Sequence, residues 1–121
     1  MGTYLYIAAG GALGSIGRYW MAGAIDGRFN AAFPYGTVAV NILGSFVIGL
    51  LAGMDGLSAN ARLFLMVGLL GGFTTFSAFS LQTLDLLRDG LLLRAGSNIL
   101  LSVALCLFAT WAGLALVQRG G

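Results

Sequence analysis

Residues 71 to 80 read GGFTTFSAFS. Glycine loses more backbone freedom in a helix than any other residue, so Gly71 and Gly72 weaken one. Thr74 and Thr75 are β-branched, and their hydroxyls compete for backbone groups. Together the four residues predict a helix break. A break frees carbonyl oxygens, which a membrane tolerates only where they are buried in protein or line a watery cavity. Broken helices near the midplane are a recurring way to build ion sites. Beyond the break, Phe76 and Phe79 are three apart and nearly share a face. Ser77 and Ser80 make a second pair beside them. The phenylalanines read either as core or lipid packing, or as a wall whose positive ring edges suit a small anion. A serine and an asparagine amide beside them would supply donors.

Other segments repeat polar residues one turn apart. GTVAVNILGSFVIG carries Thr37, Asn41 and Ser45 four residues apart, on one helical face. Asn41 reads as an interhelical hydrogen-bond clamp or as part of a lined path. Ser102, Cys106 and Thr110 form a second narrow stripe at the same spacing. Their hydroxyls can bond the carbonyl one turn back, or line a path. Arg18, in GSIGRYW, either snorkels to the interface or acts as a vestibule cation that attracts an anion.

These residues need long apolar elements to position them. Of 121 residues 59% are hydrophobic and 8% charged, where a soluble domain would carry roughly a quarter charged. The composition predicts an all-α integral membrane protein: one membrane domain over residues 1–121 with four spans. A span needs about 20 mainly apolar residues. Such stretches run from about Thr3 to Ala24, Tyr35 to Gly53, Ala61 to Leu87 and Ser97 to Val117. The third contains the break. The first lacks a basic leading region and reads as a retained helix, not a cleaved signal. IDGRFNAAFP joins spans one and two, with Pro34 suited to helix entry. Ser58 suits the cap of the third helix. Glycines four apart (Gly10 and Gly14, Gly23 and Gly27, Gly49 and Gly53) predict close helix packing. Four spans leave little interior for a pathway, which favours a homo-oligomer.

The charges exclude some functions. Lysine, glutamate and histidine are absent. The four acidic residues, Asp26, Asp55, Asp85 and Asp89, lie in loops or at the end of span three. The alternative reading, a small proton-coupled multidrug exporter, would hold a carboxylate at membrane depth. No nucleophile–base pair suggests an enzyme, no ligand cluster suggests zinc, and scattered arginines give nucleic-acid binding no support. Arg62 and Arg119 fall on the side of the amino terminus, and Arg28, Arg88 and Arg94 on the other. Two against three is either a noisy count or the mark of insertion in both orientations.

GGFTTFSAFS, GTVAVNILGSFVIG and the early GRY, in this order over essentially the whole chain, resemble the Fluc/CrcB fluoride channels. The resemblance implies an antiparallel, dual-topology homodimer in the bacterial inner membrane, exporting cytoplasmic fluoride through two pores. It implies a structural sodium ion at the dimer centre, held by the backbone carbonyls of Gly71 and Thr74 from both subunits. Pore residues carried over are Phe76, Phe79, Asn41, Ser77 and Ser80. The stripe of Ser102, Cys106 and Thr110 aligns with a polar track, Cys106 standing where some members have a hydroxyl. Thr37, on the face of Asn41, and Arg18, as vestibule cation, complete the candidate fluoride path. Ala78 departs from the commoner threonine, and Gln82 stands where a glutamate is expected.

Overall fold

The computed structural model describes residues 2–29 and 33–120, with side chains to residue 118. Within the first linker Asn30, Ala31 and Ala32 lie outside the described residues, as does the side chain of Arg119 from the charge count. The described residues form helices without strands, in four rods. The first is α1 (Gly2–Arg28) and the second α2 (Tyr35–Gly53). The third is composite: α3 (Ala59–Arg62), a π-helical segment (Leu63–Leu70), α4 (Gly71–Phe73) and α5 (Phe76–Arg88). The last is α6 (Leu92–Gly120).

Three rods are long and apolar enough to cross a membrane: Tyr35–Gly53, Ala59–Arg88 and Leu92–Gln118. α1 has the length, at 27 residues, but is less apolar and carries Arg18. Large side chains such as Trp20, Leu93, Leu100 and Phe108 face outward. That inversion of the soluble pattern marks a multi-pass membrane protein.

Glycines let the rods touch. α1 packs chiefly on the π-helical segment, and α2 chiefly on α6. A Cβ at Gly14 would strike the Leu69 carbonyl, and one at Gly113 the Phe46 carbonyl. Of the glycines four apart, Gly10, Gly14 and Gly49 make such approaches. Gly23 and Gly27 face open space, because there α1 turns Ala22 and Asp26, not these glycines, toward Gly36 of α2.

The ends are set by local chemistry. Ser58 caps α3 by accepting from the Ala61 N–H at 3.1 Å, as its type predicts. Pro34 precedes α2 without a side-chain cap, and Asp26 at the end of α1 takes that role, accepting from the Gly36 N–H at 2.8 Å. α5 closes on Gly90, whose φ of 78° suits glycine. Gly90 N–H donates to the Leu87 carbonyl and Leu91 N–H to that of Leu86, the paired bonds of a glycine-terminated helix.

Candidate ion pathway at a broken helix

The third rod breaks at Thr74 and Thr75, both extended, with φ, ψ of −88°, 155° and −148°, 121°. An extended residue points its own N–H and C=O to the same side, and Asn41 uses this. Thr75 N–H donates to Asn41 Oδ1 at 2.7 Å, and Asn41 Nδ2 donates to the Thr75 carbonyl at 3.0 Å. The carboxamide thus pairs with Thr75 as a neighbouring strand would. Gly44, one turn further along α2, makes the approach possible, since a Cβ there would collide with Thr74 Cγ2.

The clamp decides which carbonyls are released. In an unbroken helix Thr75 N–H would bond the Gly71 carbonyl and Ala78 N–H that of Thr74. Asn41 takes the first donor. Thr75 Oγ1, the cap of α5, takes the second at 3.1 Å. The carbonyls of Gly71, Phe73 and Thr74 are left without a helical donor. Gly72 is treated differently, as its carbonyl accepts from Arg18 Nε at 3.2 Å. The Leu70 carbonyl accepts from both the N–H and the hydroxyl of Thr74, at 3.0 and 2.9 Å.

Beside the break lies a cleft of about 450 Å³, between α2, the third rod and α6. Gly71, Thr74, Asn41, Phe76, Phe79 and Ser102 all border it. The Phe76 and Phe79 rings have centroids 5.3 Å apart and are tilted by 47°. Phe79 is 9% exposed and Phe76 76% exposed, so one ring is anchored and the other projects from the chain.

A profile described as CrcB-like protein, Camphor Resistance (CrcB), matches residues 5–114. The chain belongs to the CrcB family. Relatives named "Fluoride-specific ion channel FluC" include one from Opitutus terrae, 52% identical over 119 residues, covering 93% of this chain and 90% of the relative. Another, from Rhodospirillum rubrum, is 52% identical over 117 residues, covering 92% and 91%. A third, from Geobacter sulfurreducens, is 49% identical over 120 residues, covering 94% and 95%.

In this CrcB-family chain Ser45 and Cys106 also line that cleft, whereas Thr37, Ser77, Ser80, Thr110 and Arg18 stand outside it. Ser77 and Ser80 are exposed, Ser77 with its hydroxyl 3.3 Å from that of Thr75. Thr37 is buried in α2. Thr110 donates to the Cys106 carbonyl at 3.0 Å, the backbone bond open to it from its spacing. Arg18 sits against the break through Gly72. Cys106 is a free, half-buried thiol on the cleft wall. Gln82 has a buried Oε1 without a hydrogen-bond partner among the described residues.

Two polar residues were not picked out from the sequence. Asn98 is fully buried and donates to Thr83 Oγ1 at 2.8 Å, and Thr83 donates to the Phe79 carbonyl at 2.7 Å. Ser102 donates to Asn98 Oδ1 at 3.2 Å. Asn98 lies one turn before Ser102, so extending the α6 stripe backwards by four residues would have found it. Thr83 had no such signal.

Proposed function

We propose that this chain is a passive fluoride channel in the bacterial plasma membrane, built as an antiparallel homodimer with two pores. The observation that carries the reading is the clamp of Asn41 on Thr75, which opens the third rod beside a cleft walled by two phenylalanines. The family and the relatives named as fluoride-specific ion channels support the choice of ion. α1 is the fourth span in this reading, despite its lower apolarity.

Fluoride is small and strongly hydrated, so a pore must replace its water. The positive edges of the Phe76 and Phe79 rings offer part of that replacement. Asn41 commits one of its two N–H groups to Thr75 and keeps the other as a donor. The Thr75 oxygen accepts from Ala78 N–H, which leaves its own proton to donate. The apolar outer wall keeps bulk water away and strengthens each contact.

The carbonyls of Gly71 and Thr74 are hard oxygen ligands without helical donors, so the residues fit a sodium ion shared with a second subunit. Such an ion supplies positive charge that ties two breaks together. Within the chain, Asn41 and Arg18 hold the break in shape. An antiparallel pair agrees with the two-against-three arginine count and gives the exposed Phe76 a partner surface.

Purified protein in liposomes loaded with fluoride tests the reading. Efflux that needs no proton gradient and excludes chloride is expected. No fluoride flux from folded protein, or flux only with a proton gradient, would refute it.

A further inference from the structure

Four hydrogen-bonding groups run from the carbonyl of Phe79 into the wall of the cleft, and their protons can be assigned. Thr83 Oγ1 lies 2.7 Å from the Phe79 carbonyl and 2.8 Å from Asn98 Nδ2. A carbonyl only accepts, so the single Thr83 proton points at Phe79. Thr83 must then accept from Asn98, which places the Asn98 amide nitrogen on that side. Asn98 Oδ1 therefore faces Ser102, and Ser102 must donate its only proton to it. The Ser102 oxygen is left with lone pairs alone on the cleft side. Thr74 is in the same position, with its proton on the Leu70 carbonyl.

We propose that Asn98 is a positioning residue that fixes this polarity, so that Ser102 offers the cleft an acceptor and never a donor. The inference rests on the fluoride-channel reading. Fluoride passing this wall meets Ser102 only through a water molecule, one O–H of which points to Ser102 and the other to the anion. Direct donors stand elsewhere on the cleft lining, on Asn41 and Thr75. The full burial of Asn98 keeps the relay from being reset by solvent.

Asn98→Leu removes the acceptor and frees the Ser102 proton to turn to the anion. A charge-assisted hydrogen bond gained this way corresponds to about a ten-fold fall in the fluoride concentration that half-saturates flux. Maximal flux should fall, because a tighter site releases fluoride more slowly. Thr83→Val releases Asn98 from the other end and should move half-saturation the same way, by less. Adding Ser102→Ala to Asn98→Leu should reverse the shift. Flux in liposomes across a fluoride series, with elution and thermal unfolding confirming fold, makes the comparison. Unchanged half-saturation in folded variants would overturn the proposal, as would a shift that persists without the Ser102 hydroxyl. If Asn98→Leu does not fold, Thr83→Val decides alone. Wild-type protein without fluoride flux would instead overturn the functional reading.

Discussion

Asn41 holds the break with two hydrogen bonds, and the two cleft phenylalanines divide their duties by burial. Replacing Asn41 with Leu removes both bonds and leaves the Thr75 N–H unpaired beside an apolar chain, while its carbonyl keeps only the first bond of α5. A loss of about 2 kcal/mol is expected, with a large fall in fluoride flux. Thermal unfolding in detergent and liposome efflux report the two effects. Phe79→Ile removes part of a buried ring and should lower both stability and flux, the former by about 1 kcal/mol. Phe76→Ile should lower flux with little change in the unfolding temperature, since its ring packs weakly within the chain. Equal destabilisation by the two changes would contradict this division.

At the scale of elements, the break was legible because two glycines and two β-branched threonines sit together inside an apolar run. The residue that completes it was legible only as a type. An asparagine in a span must find partners, but nothing in its own segment names Thr75, 34 positions away. The π-helical segment Leu63–Leu70 was not legible. Its apolar side chains read equally well as α-helix, and close packing against the glycines of α1 accompanies the wider turn. Asp26 was read as a loop charge, yet it caps α2 across the linker. Asp26→Ala should cost about 1 kcal/mol, measured by thermal unfolding, and loosen α1 from α2. Gly90→Ala forces a side chain into a left-handed turn and should cost about 1 kcal/mol on the same assay. An unchanged midpoint for Gly90→Ala would deny that turn its role.

On the scale of the whole molecule, a single chain leaves the Phe76 ring and many large aliphatic residues on its outside. Lipid covers most of them, and in the proposed dimer a second copy covers Phe76. Tags on both chain ends should each appear on both sides of the membrane, and a single orientation would contradict the antiparallel pair. Replacing sodium with a large organic cation should weaken the dimer on gel filtration. An unaltered dimer would deny the Gly71 and Thr74 carbonyls a structural cation. The composition made the membrane class legible, and the motif order made the family legible. A partner surface leaves no comparable mark in one sequence, because outward apolar residues suit lipid and protein alike. The central claim is that fluoride alone crosses this protein, down its own gradient. The most direct test is the reversal potential of the purified protein in a planar bilayer, with unequal fluoride and equal chloride and pH. The account predicts reversal at the fluoride equilibrium potential, whereas reversal at zero or the absence of current from folded protein would contradict it.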